Sequence, residues 1–320
     1  MVLVSVVMCC HNHEKYIEDS MASVLNQTVP DSELLITDDC STDKSPEIIA
    51  ETQEKDHRVH GVYHTTNMGV SKTLNDGLDR ISGRYVCFLD SDDLWVEDKL
   101  EKQLEILKRD DSKILWSEGE VINSHGEKTG ELVTKRMKLP PVKSGYLFEP
   151  LLRELIIYRQ SMICRADYVK NIRFDPQFRY VNDHRFIVDL AVDHDFLFMP
   201  EILAKYRVHN TNISNEKPMV WAKEKVLIRK YFLKQYESRI SYRTKADINY
   251  QIGFYLSRLG KNDEAKKYYL EALKIDHRHV NSTLYTARAL TAGKGFVEKF
   301  LVDAFNLTTG IVADIKEFAS

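Results

Sequence analysis

Three polar clusters in the first hundred residues have the types and spacing needed to act on a charged ligand. Asp90-Ser91-Asp92-Asp93 places three carboxylates directly behind an apolar run at residues 85–89 (YVCFL). Carboxylates gathered at one point can hold a divalent cation, and the cation can hold a diphosphate. Magnesium and manganese favour oxygen ligands, commonly one or two carboxylates completed by phosphate and water. The same run also reads as a solvated acidic turn, or as an N-cap cluster for a helix beginning near Val96. Asp38-Asp39 closes a second apolar run at residues 33–37 (ELLIT). A carboxylate there can accept from a base or ribose donor, or cap the next helix. Asn67-Met68-Gly69 and Asn75-Asp76-Gly77 bracket a third segment, and glycines there permit tight turns.

These clusters need a frame, and the frame is regular. Residues 2–8 (VLVSVVM) are β-rich, and residues 14–26 show helical spacing at Tyr16, Ile17, Met21, Val24 and Leu25. Residues 33–37 are strand-like. Ser41-Thr42-Asp43 then offers caps to a helix over 44–54, with Pro46 tolerated in its first turn. A short strand at 60–64, a helix at 70–81 and a strand at 85–89 follow. This alternation predicts right-handed βαβ units and a mostly parallel sheet sandwiched by helices. Ligands of such sheets bind beyond the carboxyl ends of the strands. The polar clusters fall there: Cys10-His11-Asn12, Asp38-Asp39, Asn67 and the acidic run.

From residue 114 to 215 the pattern is mixed, with a basic, Pro-containing loop at 135–144 (KRMKLPPVKS). After Pro218 the chain reads as helices to its end. Residues 260–276, with Ala265, Tyr268, Tyr269, Ala272 and Leu273, look like half of a tetratricopeptide helix pair. The expected organisation is therefore a catalytic-type domain over 1–215 and a helical region over 216–320. Residues 222–245 hold eight Lys or Arg against two Glu. Leu227, Ile228, Tyr231, Phe232, Tyr236 and Ile240 recur at three- and four-residue steps, so one side can be buried with the basic side outside. A solvated basic face is the plain reading. A homodimer contact and peripheral docking on an anionic membrane surface are the alternatives.

A formal charge of -3 argues against a nucleic-acid binder. Five cysteines without a C-x-x-C pair argue against a disulfide framework or zinc site, and fit reduced thiols in the cytoplasm. No apolar run is long enough to span a bilayer, and no signal peptide is expected at the N-terminus. An enzyme of this kind would work in the cytoplasm, or peripherally at the inner face of the membrane.

In order, VSVVMCCHNHEKYIEDSMASVLNQT, ELLITDDCSTDKS, NMGVSKTLNDG and GRYVCFLDSDDLW resemble glycosyltransferase family 2. The resemblance continues more weakly through IRFDPQFRYVNDHRFIVDL and ILAKYRVHNTNIS, and the tail from 216 lies outside it. It implies a GT-A fold and an inverting, metal-dependent transferase. The donor would be a UDP-sugar carrying a hexosyl or N-acetylhexosaminyl group. The acceptor would be a hydroxyl on a glycan or lipid-linked molecule, in bacterial-type surface polysaccharide synthesis. The resemblance places Asp39 on the uracil with Asp38 beside it. It places Cys10, Asn67 and Lys72 in the nucleotide-sugar site, and Asp90 on the ribose and metal side. Asp92 becomes the chief ligand of Mn²⁺ or Mg²⁺, and His209 a further one. Arg207 becomes a diphosphate contact and Asp183 the general base. Three departures stand out: Cys9-Cys10-His11 replaces Pro-Thr-Tyr, Cys40 replaces a glycine, and Asn182 replaces a glutamate. Two other readings are a non-catalytic scaffold on a degenerate transferase domain and a nucleotidyltransferase. Intact Asp92, Asp183 and His209 stand against the first. The second would want a Gly-rich basic loop where this chain has CCHNHEKY.

Overall fold

The computed structural model describes residues 2–139, 144–212 and 218–276, and the chain divides into two compact units, Met1–Glu216 and Lys217–Ser320. In the first unit the chain runs β1 (Val4–Cys10), α1 (Ile17–Leu25), β2 (Ser32–Asp38), α2 (Ser45–Lys55), β3 (Val59–Tyr63), α3 (Val70–Leu78) and β4 (Tyr85–Phe88). Then follow β5 (Leu94–Trp95), α4 (Lys99–Leu107), β6 (Ile114–Ile122), β7 (Lys128–Leu132), α5 (Val133–Arg136) and α6 (Phe148–Arg153). A 3-10 turn, Arg159–Ser161, leads into β8 (Ile163–Arg165), and α7 (Asn182–Ala191) and β9 (Phe196–Arg207) complete the unit.

The sheet order is β3-β2-β1-β4-β8-β6-β9-β5, with β7 paired to β6. The first four strands are parallel, as their βαβ connections demand. β8 then enters antiparallel between β4 and β6, while β6 and β9 are parallel, so the sheet as a whole is mixed. β2 and β6 are buried along their whole length, and β1 nearly so, because both faces are covered. That explains the apolar stretches at 6–8, 34–36 and 114–116, and it buries the polar side chains of Ser5, Glu33, Ser117, Glu118 and Glu120 among them. Edge strand β3 buries only Val59. α1 turns Ile17, Ser20, Met21 and Val24 inward at helical spacing. Each fully buried aliphatic side chain of this kind contributes about 1.5–3 kcal/mol.

Two local readings change. The helix expected near Val96 starts at Lys99, because Leu94-Trp95 first pairs with Lys205 and Ala204 of β9. Residues 135–136, read as loop, close the short helix α5, which is too brief to show a period in sequence. Residues 140–143 of that stretch lie outside the described residues.

The second unit contains α8 (Pro218–Gln235), α9 (Tyr242–Arg258) and α10 (Asn262–Ile275). Ser241 caps α9, its Oγ accepting from the Thr244 N–H at 3.3 Å. α9 and α10 pack closely because Gly253 has no side chain; a Cβ there would stand 2.7 Å from the Tyr269 ring. The expected apolar stripe is present in Ile228, Phe232, Tyr236 and Ile240, all buried, but Leu227 faces outward. Two of the expected basic residues, Lys225 and Arg229, are also buried, and Arg229 donates through Nε to Gln251 Oε1 at 2.6 Å. The solvated basic face is smaller than the sequence suggests. The helices expected beyond 276 fall outside the described residues.

Candidate active site

The carboxyl ends of β1, β2, β4 and β9 carry the polar clusters. Just past β1, Asn12 adopts a left-handed backbone (φ 57°), which asparagine tolerates better than most residues. Its N–H donates to Ser41 Oγ and its Oδ1 accepts from the Thr42 N–H, each at 2.8 Å. These bonds lock the ends of β1 and β2 together.

The acidic loop after β4 is gripped from the end of β9. Arg207 donates its backbone N–H to Asp93 Oδ1 and its Nε to the Asp92 carbonyl, both at 2.8 Å, and its guanidinium lies 5.0 Å from the Tyr16 ring. Tyr158 adds a hydroxyl donation to Asp93 at 3.3 Å. Burial, reinforced by the charges of Asp92 and Asp90, pushes the Asp93 carboxyl well above the ordinary carboxylate value.

Asp92 has a different surrounding. Its Oδ2 lies 3.0 Å from His209 Nε2, 3.9 Å from His13 Nε2 and 3.4 Å from Asn212 Nδ2. Burial raises its pKa, but the His209 hydrogen bond and the charges of both histidines outweigh this, and the net shift is downward. One ligand atom from each of His13, Asp92 and His209 fits within 4.8 Å. The two rings are held from behind: His13 Nδ1 meets Ser91 Oγ at 2.7 Å, and His209 Nδ1 meets Thr211 Oγ1 at 2.8 Å. With Nδ1 donating to these hydroxyls, each Nε2 can serve a cation, the proton that His209 Nε2 shares with Asp92 leaving as the metal binds. A 3.0 Å carboxylate–imidazole spacing also suits two neighbouring ligands on one ion at bond lengths of about 2.1 Å. The residues present therefore fit a divalent cation. His13 and His209 also line a cavity of about 640 Å³ with Tyr16, Asn123, Ser124 and Thr211.

Asp90 does not join that trio. Arg159 Nη2 donates to its Oδ1 at 2.6 Å, and Gln160 Nε2 donates to its Oδ2. Asp183 lies half-buried in the first turn of α7, with its N–H on Asn182 Oδ1 at 2.8 Å. Burial would lower the Arg159 pKa, but the charges of Asp90, Cys9 and Asp183 together hold it higher than usual, so Asp183 lies within electrostatic reach of the Asp90–Arg159 pair.

The β2 end is built otherwise. Asp38 is 1% exposed and accepts from the Ser41 N–H and hydroxyl. Asp39, 4% exposed, accepts from the Met68 and Gly69 N–H groups at 2.7 and 2.8 Å, and its Oδ1 lies 2.9 Å from His64 Nδ1. Its carboxylate therefore holds the turn before α3, where the resemblance implied a uracil contact. His64 Nε2 continues to Asp76 at 2.8 Å, and Asp76 pairs with Lys72. Cys10 is core: 2% exposed, with burial pushing its thiol up to about 12. Asn67 is exposed beside His11, its Nδ2 3.4 Å from the ring. Arg207, expected on a diphosphate, is 2% exposed and braces the acidic loop.

Sequence reasoning missed His13, His64, Arg159 and Gln160. His13 stands in the polar cluster behind β1 and could have been proposed from that position. The other three have no local pattern, since their hydrogen-bond partners are 12 to 70 residues away in sequence.

The family model for glycosyl transferase family 2 matches residues 5–162, and one for the tetratricopeptide repeat matches 246–279. A Bacillus subtilis (strain 168) protein named for teichuronic acid biosynthesis, glycosyltransferase TuaG, is 32% identical over 72% of this chain and 91% of its own length. Among solved structures, S. aureus TarS 1–349 in complex with UDP-GlcNAc superposes with a TM-score of 0.64 at 16% identity, covering 90% of each chain. The mannosyltransferase PcManGT of Pyrobaculum calidifontis, solved with GDP-Man and Mn²⁺, superposes with a TM-score of 0.56 at 15% identity, covering 96% of this chain and 87% of that one. These structural likenesses give the GT-A fold. With the identity to TuaG extending along nearly that whole protein, the chain belongs to glycosyltransferase family 2.

Proposed function

We propose that the chain is an inverting, metal-dependent glycosyltransferase that moves a sugar from a UDP-sugar to an acceptor hydroxyl in cell-surface glycan synthesis. One observation carries the reading: His13, Asp92 and His209 bring ligand atoms together at the strand ends, where α/β sheets bind ligands. Two imidazoles with one carboxylate suit Mn²⁺ better than Mg²⁺, which prefers oxygen. When bound there, the cation neutralises charge on the departing nucleoside diphosphate. Asp183 accepts the acceptor hydroxyl proton as that oxygen attacks the anomeric carbon. Attack from the face opposite the leaving group inverts that centre. Asp90, fixed by Arg159 and Cys9 on Oδ1 and by Gln160 on Oδ2, keeps a lone pair on Oδ2 for a donor hydroxyl. Arg207 and Asp39 act as braces that shape the acidic loop and the turn before α3.

The UDP-GlcNAc complex of TarS and the naming of TuaG support a UDP-sugar and a surface glycan. The place of work is the cytoplasm, or the inner face of the membrane for a lipid-linked acceptor. No helix among the described residues is long and apolar enough to cross a membrane. The burial of Lys225 and Arg229 weakens membrane docking through the tail relative to a plain packed helix or a dimer contact. The test is a panel of UDP-sugars with Mn²⁺, reading released UDP with and without an acceptor pool. One preferred donor, with release stimulated by acceptor, is expected. No release from any donor, together with no UDP binding, overturns the reading.

A further inference from the structure

Arg159 is a buried cation that the mechanism above uses only as a support for Asp90. It is 5% exposed, and a guanidinium taken out of water must be paired. Among the described residues only Nη2 is hydrogen-bonded, to Asp90 Oδ1; Nε and Nη1 have no hydrogen-bond partner there. The guanidinium faces aromatic rings: Phe88 at 5.6 Å and Phe174 at 5.9 Å, within cation–π range. Phe174 stacks on Phe186 with centroids 4.1 Å apart and planes 6° from parallel, and Phe186 meets Phe88 edge-on at 5.5 Å. All three rings are fully buried. Phe186 follows Asp183 by three residues on α7, so the two share a side of that helix.

The turn that carries Arg159 is itself fixed. Trp95 Nε1 donates to the Gln160 carbonyl at 2.7 Å, and Gln103 Nε2 to the Ser161 carbonyl at 2.8 Å. The Ser117 N–H donates to Ser161 Oγ at 2.9 Å. A rigid path therefore runs from Asp90 through Arg159 and the rings to α7.

We infer that Arg159 is a positioning residue for sugar transfer: it fixes the Asp90 carboxylate and, through Phe174 and Phe186, the first turn of α7, so that donor and base keep one relative geometry. The inference rests on Asp183 being the base, and it matters because a displacement of about 1 Å can cost on the order of 10²-fold in rate.

The test is a double-mutant cycle in the full-length chain, reading UDP release and thermal melting. Arg159→Lys keeps the charge and loses the planar fork. Its kcat should fall about 10–100-fold, with donor KM changed less than about threefold and melting near wild type. In an Asp183→Asn background the same substitution should cost less than about threefold, because residues acting as a unit are not additive. Phe186→Leu, which leaves Arg159 and its charge intact, should show the same pattern. Wild-type kcat in Arg159→Lys, a loss confined to KM, or a loss repeated in full in the Asp183→Asn background would each overturn the inference alone. A wild-type protein that turns over no donor would remove the parent reading and this one with it.

Discussion

Two strand ends look alike in sequence and differ in structure. β2 closes on Asp38-Asp39 and β4 is followed by Asp90-Ser91-Asp92-Asp93, in both cases aspartates behind an apolar run. At β2 the carboxylates are used by the protein itself: Asp38 by Ser41, Asp39 by the Met68 and Gly69 N–H groups. Behind β4, Asp92 faces two histidines from β1's exit and β9's exit, beside an open cavity. Acidic residues at a strand end are thus common to support and chemistry. What separates the two is the imidazole set: Asp92 meets two rings, each backed by a hydroxyl, whereas the His64 ring at Asp39 is tied on its far side to the Asp76 carboxylate.

Substitutions at the two strand ends should separate chemistry from support. The largest effect belongs to Asp183→Asn, expected to lose about 10²–10⁴-fold in turnover, the span for removing a general base. UDP affinity should stay near wild type; a variant keeping more than a tenth of turnover, on that scale, would move the base elsewhere. His13→Ala comes next. It should weaken Mn²⁺ binding by about tenfold or more while leaving the melting temperature close to wild type. An unchanged Mn²⁺ affinity would reduce the trio to Asp92 and His209.

Asp39→Ala should show the opposite profile. Two part-buried N–H groups lose their acceptor, so stability falls by about 0.5–1.5 kcal/mol in denaturant unfolding, while Mn²⁺ affinity holds. A metal-binding defect larger than the stability loss would erase the distinction between the two strand ends. The smallest effect is at Cys40, which adopts φ 60° where the family usually carries glycine. Cys40→Gly relieves left-handed strain of about 1–2 kcal/mol and adds unfolded-chain entropy of about 0.5–1 kcal/mol, for a net gain near 1 kcal/mol or less. A lower melting temperature would mean that the thiol packs better than the backbone strains.

Much of the frame is legible in the sequence because β1, β2 and β4 are short apolar runs separated by helices with clear periodicity. The later strands are not: β9 alternates irregularly, and its register with β6 shifts between Ser117 and Gly119. Residue order placed Asp92 and His209 through the family resemblance, and the structure brings them to 3.0 Å. The resemblance put Arg207 on a diphosphate; the structure buries it against the acidic loop, and an arginine near a strand end reads equally as a ligand contact or as a brace. Arg159 was out of reach because its partners, Asp90 and the Phe88–Phe174–Phe186 cluster, come from three other segments.

Under the proposed function, His13, Asp92 and His209 form one divalent-cation site serving the donor. Mn²⁺ titration of the full-length protein in the presence of UDP, followed by electron paramagnetic resonance, tests it directly. Wild type should bind one Mn²⁺ per chain, and Asp92→Asn should bind it at least about 10-fold more weakly while melting as a folded protein. Equal Mn²⁺ affinity in wild type and Asp92→Asn, or no binding in wild type, would contradict the account.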